Sequence, residues 1–160
     1  MLRDIRRNGA QPKDTMHKAA VAMVTGMGVI KSDTKTKKEV KLPAEETTAN
    51  ICVVTKERVP SGANVAKQNM SDYDEDFVNI AKGEFVGLEV YTNGEKFATD
   101  QFKAEDFKDY EIGKTVAVGT DGKWMKTTKG SSRFLYAGEF VDNGHKLIMI
   151  EVVADPVAHA

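Results

Sequence analysis

Three short turn signals, Asn93-Gly94, Asp121-Gly122 and Asn143-Gly144, punctuate the second half of this chain, each flanked by β-branched and aromatic residues. A two-residue loop of Asn-Gly or Asp-Gly favours a type I′ turn, because its backbone twist matches that of two paired strands. The stretch from Gly113 to Ala154 therefore holds at least four strands. With Asn143-Gly144 as the loop, Asp142 faces His145, Phe140 faces Leu147, Gly138 faces Met149, Tyr136 faces Glu151 and Phe134 faces Val153. With Asp121-Gly122 as the loop, Trp124 faces Gly119 and Met125 faces Val118, and the indole can lie over the glycine backbone. Neither face of the later hairpin is polar. It calls for cover on both sides, from the rest of a barrel or sandwich or from another chain.

The chain has 160 residues, 41% of them hydrophobic and 29% charged, which bounds it to about one globular domain with a real core. A single cysteine, Cys52, excludes an internal disulfide, so stability comes from packing. No apolar run approaches the roughly 20 residues needed to span a bilayer. The run Ala19 to Ile30 follows a basic segment, but Thr25, Gly26 and Gly28 interrupt it and no small-residue cleavage site follows, so a strand is expected there and not a secretion signal. The two close glycines mark a bulge or a close backbone approach.

Charge is unevenly placed. Residues 1–41 carry ten Lys or Arg against four Asp or Glu, a balance of +6, which leaves −7 for the remainder and gives the net −1. A basic front on an acidic body suits an N-terminal arm over residues 1–18 that meets an acidic surface, a phosphate or the acidic body of a neighbouring copy; a solvated tail is the plain alternative. Asn8-Gly9 and Pro12 break any long helix in it. The expected organisation is this flexible basic arm, a single β-rich domain over residues 19–156 and a short tail over 157–160, with Pro156 closing the last strand.

Within the body, Lys37 to Leu42 and Asn50 to Val59 read as strands, the second ended by Pro60-Ser61-Gly62. Asp72, Asp74 and Asp76 alternate like the opening of a calcium loop, but Phe77 stands where glycine is needed and Gly83 where a bidentate glutamate is needed. An acidic turn capping a short helix, with Phe77 and Ile80 inward, fits better. Gly83 to Thr99 alternates as a hairpin about Asn93-Gly94. Phe102, Phe107 and Tyr110 lie in a charged frame and are candidate subunit contacts, core packing being the alternative. The fold class expected is mainly β: a compact antiparallel β-barrel or sandwich with an extended N-terminal arm and one or two short helices.

No catalytic pattern emerges. The lysine-rich stretch Ser32 to Lys38 lacks the glycines of a phosphate loop, and His17, His145 and His159 form no ligand spacing with Cys52. No Gly-x-Ser-x-Gly element is present. Glu89, Glu95, Glu139 and Glu151 fall on strands and are better explained by interaction than by paired-carboxylate hydrolysis. No enzyme activity, cofactor or metal is expected. Single-stranded nucleic-acid binding is the alternative function: Tyr91, Phe97 and Trp124 would be stacking platforms, and Lys96, Lys123, Lys126 and Lys129 the charge. The net acidity of residues 42–160 argues against it.

The segment GKTVAVGTDGKWMKTT followed by SRFLYAGEFVDNGHKLIMIEVV, together with the arm from Met1 to Lys18, resembles the decoration, or auxiliary head, proteins of tailed bacteriophages. The likeness is one of organisation over most of the chain. It implies a virion structural protein, made in the host cytoplasm, that sits on the outer capsid surface between capsomers and stabilises the expanded head. Its partners would be the major capsid protein and further copies of itself, with no membrane and no nucleic acid. On that reading Leu2, Arg3, Ile5, Arg6, Arg7 and Lys13 form the capsid-binding arm, its cations meeting acidic residues.

Overall fold

A computed structural model describes residues 1–9, 13–56 and 75–159. The chain is mainly β, as expected, and its strands fall into several sheets. In order they are β1 (Leu2–Arg6), β2 (Asp14–Ala19), β3 (Met23–Val24), β4 (Gly28–Lys31), β5 (Glu39–Lys41) and β6 (Ile51–Thr55). A one-turn helix α1 (Glu75–Val78) leads into β7 (Asn79–Ile80), β8 (Phe85–Glu89) and β9 (Lys96–Thr99). A 3-10 turn (Ala104–Asp106) precedes β10 (Val116–Val118), β11 (Trp124–Lys126), β12 (Ser131–Asp142) and β13 (His145–Ala158). Pairing runs β1-β9-β13-β12 in one sheet, and β2-β5-β4-β6-β8 in a second set that returns to β2. Among the described strands, all pairings are antiparallel except β2 with β5, which is parallel.

Strand β6 is the wall between two cores. Its five residues are all buried, because its two faces are both apolar and both covered. Ile51 and Val53 point into a core with Phe97, Trp124, Phe134, Ile148 and Ile150, whereas Cys52 and Val54 point into the ring, against Val29, Val40, Val86 and Leu88. The period of two in a β-strand makes this division.

The seam between the halves closes around Gly26 to Gly28, at the close approach their spacing implied. The Gly26 carbonyl accepts from Trp124 Nε1 at 3.2 Å and from Thr99 Oγ1 at 3.1 Å, and its N–H donates to the Val54 carbonyl. A Cβ on Gly26 would stand 2.4 Å from Thr99 Oγ1 and 2.7 Å from the Met1 carbonyl, and one on Gly28 would stand 2.3 Å from Val118 Cγ2. Only glycine fits where the two backbones come this close.

The register near the Asn143-Gly144 turn matches the expectation. Both residues have positive φ, and Asp142 pairs with His145, Phe140 with Leu147 and Gly138 with Met149. Beyond Gly138 it slips by one: Tyr136 pairs with Ile150 and Phe134 with Val152, because Ala137 is the extra residue of a bulge. The Asp121-Gly122 loop is one residue longer than expected. Gly119 and Lys123 close it, Trp124 pairs with Val118 and Met125 with Ala117, and Gly122 takes positive φ as the third residue of a bulged loop. Around Asn93-Gly94 a turn forms, but β8 and β9 do not pair with each other; the chain crosses there from the ring to the sheet.

The expected boundary at residue 18 is crossed by β2, and β1 pairs with β9, so residues 2–6 and 14–19 are laid down in the body and not as an arm. Pro156 does not close the last strand either. Ala158 and Val157 pair with Ser131 and Ser132, and the proline sits in the bulge before them, where no N–H is needed. Of the short helix expected near Phe77, α1 is the described part; Phe77 is half-buried and Ile80 packs in the ring core as part of β7. Pro60-Ser61-Gly62, Asp72 and Asp74 lie outside the described residues.

Candidate interaction surface

Four basic residues of the front segment, Arg3, Arg6, Arg7 and Lys13, are paired within the chain. On β1, Arg3 Nε donates to Asp142 Oδ2 at 2.6 Å, and Arg6 reaches the Gly94 carbonyl and Glu151 Oε1, the latter at 2.9 Å. Arg7 lies over the Tyr91 ring at 4.3 Å and within 3.5 Å of Glu89 and 3.6 Å of Glu95, while Lys13 pairs with Glu89 at 3.0 Å. Leu2 packs on the aromatic core, and Ile5 is at the margin of exposure. These four cations thus meet the acidic body of their own copy. The sequence offered a neighbouring copy for that role, because register between β1, β9 and β13 has no local signal.

That network is tightly held. The Tyr91 hydroxyl donates to Asp4 at 2.7 Å and lies 3.1 Å from Glu89. Burial, the Glu89 charge and the bond to Asp4 push the phenol far up, so it remains a donor. Burial works to raise the Glu95 carboxyl, but the N–H groups of Thr92 and Asn8 and the Arg7 charge outweigh it and hold the group below its ordinary value.

Phe102, Phe107 and Tyr110 are gathered into one cluster on the aromatic core. Phe107 is buried, with ring centroids 5.8 Å from Phe102, 5.6 Å from Tyr110 and 5.2 Å from Tyr136, and Tyr110 donates to the Thr115 carbonyl. Phe107 is therefore closed to a neighbour, and packing explains the trio. Tyr91, Phe97 and Trp124 are likewise buried; Tyr91 stacks on Phe97 at 4.3 Å, and Phe97 meets Trp124 at a tilt with centroids 5.4 Å apart inside the core. None offers a free face to a base, which removes the stacking platforms of the nucleic-acid alternative.

Among the described residues, no group of three or more His, Cys, Asp or Glu side chains could hold a metal ion, and no helix is long and apolar enough to cross a membrane. Cys52 is buried, and burial pushes its thiol up, as for an inert core residue.

What stands out at the surface is an outward face of β2, β5 and β8. Along β2, His17 turns inward while Met16 and Lys18 turn outward; Met16 is 64% exposed, and Phe85 on β8, the pairing partner of Lys18, is 54% exposed. Lys18 Nζ sits 4.8 Å from the Phe85 ring centre. Thr36, Lys37 and Lys38 line the same shallow groove, and Glu39 pairs with Lys37 at 3.9 Å. Lys35 in the preceding loop and Lys41 on β5 are exposed as well.

This face has a buried support. His17 Nδ1 lies 3.1 Å from Asp14 Oδ1 and Nε2 lies 2.9 Å from Asp33 Oδ1, so the ring bridges β2 to the loop that carries the lysines. Lys31 donates to the other Asp14 oxygen. That bond first, then the Met16 N–H and His17, hold the Asp14 carboxyl well below the usual range against the effect of burial. Sequence reasoning singled out the lysine-rich stretch Ser32 to Lys38, only to reject it as a phosphate loop, and missed Met16, Lys18 and Phe85. Alternation about His17 was the local signal; the pairing of β2 with β8 across so much chain left none.

No protein-family model matches this chain, no curated protein matches it, and no solved structure matches it.

Proposed function

We propose that this chain is a virion structural protein that binds the outer surface of a capsid between capsomers and stabilises the expanded head. Its β body is taken as a small barrel joined through β6 to a sandwich-like pair of sheets. One observation carries the reading: among the described residues, large apolar side chains stand exposed on separate elements and do not all gather in one concavity. Met16 on β2 and Phe85 on β8 line one shallow groove, Val90 follows β8 at 54% exposure, and Ile112 and Val141 are 74% and 65% exposed. An enzyme concentrates its exceptional residues at one site, whereas a clamp between neighbours needs several modest contacts whose effects multiply over many copies. Self-association on the shell follows from the same dispersal.

The test is mechanical. Heads assembled without the protein should rupture at lower temperature than native heads, and added purified protein should restore the native value, since a ligand of the intact shell alone stabilises it by mass action. Identical rupture temperatures with and without the protein would reject the proposal.

A further inference from the structure

The outward face of β2, β5 and β8 has the composition of a docking surface for one kind of partner, an inference that rests on the capsid-binding proposal and names the contact it uses. We infer that this face binds a carboxylate-rich protein surface of the shell, with an apolar side chain of the partner seated between Met16 and Phe85. Three observations carry it. The apolar pair is exposed at 64% and 54% on neighbouring strands of a paired sheet, so it is one patch and not two scattered residues. Lys18, Lys37 and Lys38 line the same groove with Glu39; Lys35 and Lys41 are exposed on the adjoining loop and strand; and the neighbouring carboxylates Asp14, Asp33 and Glu84 are already engaged by Lys31, His17 and Lys56. The other concentration of positive charge, Arg3, Arg6, Arg7 and Lys13, is paired to carboxylates of the same chain.

Charge complementarity thus selects an anionic partner, and the apolar centre selects a protein over a nucleic acid. A phosphate backbone would satisfy the lysines and leave Met16 unmatched. The Phe85 ring already carries Lys18 over it at 4.8 Å, which competes with a stacked base. A protein edge bearing Asp or Glu around a Leu, Val or Phe meets both needs, the charges guiding encounter and the apolar contact slowing release. The His17 bridge between Asp14 and Asp33 keeps the lysine loop against β2, so the face is formed before the partner arrives.

The experiment uses the full chain and heads of the virus that encodes it, assembled without this protein. Occupancy is measured for the wild type, for F85S, for K18E/K37E/K38E and for K123E, a charge reversal away from the face, with circular dichroism confirming that each is folded. The wild type and K123E should bind alike, while F85S and the triple reversal each lose about tenfold or more in apparent affinity. Normal binding by both face variants, with the wild type bound, would overturn the face and leave the capsid proposal standing. Failure of the wild type to bind would overturn both. A poly-dT oligonucleotide bound more tightly than the heads, and lost in the triple reversal, would overturn the protein partner in favour of nucleic acid.

Discussion

On one side of β6 the core is built from rings: Phe97, Phe107, Trp124, Phe134 and Tyr136 pack with Ile148 and Ile150. On the other side it is built from Val29, Val40, Val54, Val86, Leu88 and Cys52, with no aromatic residue among the described members of the cluster. The sheet side joins two pairs of strands that follow each other in sequence, β10 to β11 and β12 to β13, besides the distant pairs β1–β9 and β9–β13. The ring side joins strands far apart, above all β2 with β8, and includes the parallel β2–β5 pair. The contrast teaches where each half gets its order. Aromatic area and two local hairpins order much of the sheet side, whereas the ring has one local pair, β4 with β5, and otherwise depends on distant pairings and on the seam it shares with the other half.

The largest expected effect comes from the sheet side. Trp124 is fully buried, touches Phe97 and Phe134 and donates to Gly26, so W124A should lower stability by about 3–5 kcal/mol in denaturant unfolding. A near-native midpoint would place the indole outside the core. The ring-side counterpart is L88A, expected at about 2–5 kcal/mol, and toward the lower part of that range because small aliphatic neighbours can close over the gap.

The seam gives the next prediction. G26A places a Cβ against Thr99 and the Met1 carbonyl at a φ of +95, and should cost about 1–3 kcal/mol from overpacking with about 1–2 more for the left-handed backbone. Because β6 belongs to both cores, the halves should also unfold together. Trp124 fluorescence reports the sheet side and Cys52 reactivity toward a thiol reagent reports the ring, and their denaturant transitions should coincide. Separate midpoints would make the two halves independent units.

The smallest effects are electrostatic. Asp14 on the ring side and Glu95 on the sheet side both have depressed carboxyls. Such a group contributes stability that is fully present above its unfolded value of about 4 and is lost as the pH falls toward its folded value. Stability should therefore decline below about pH 4, and D14N should flatten part of that decline at a cost of about 0–1 kcal/mol at neutral pH, as for a half-exposed pair. An unchanged acid limb in D14N would remove the Lys31–Asp14–His17 network from the account.

Legibility in the sequence follows the same division. Asn143-Gly144 specified its turn and the first three register pairs, because φ is positive at both residues and the loop leaves no slack. The bulge at Ala137 had one local signal, Gly138, which takes a positive φ of 108 but does not by itself say that the register slips there. Gly26 and Gly28 announced a close approach without saying to what. The arm was misjudged because Arg3, Arg6 and Arg7 look like a solvated tail until Asp142, Glu151 and Glu89 are brought beside them. Met16 and Phe85 become a patch only when β2 and β8 pair, which no local pattern encodes.

The most direct test of the central proposal is mass spectrometry, calibrated for copy number, on purified particles of the virus that encodes this chain. A capsid-wide clamp predicts copies on the order of hundreds per particle, as repeated weak contacts require. Absence from particles would contradict the account outright, and a handful of copies would contradict its place on the head.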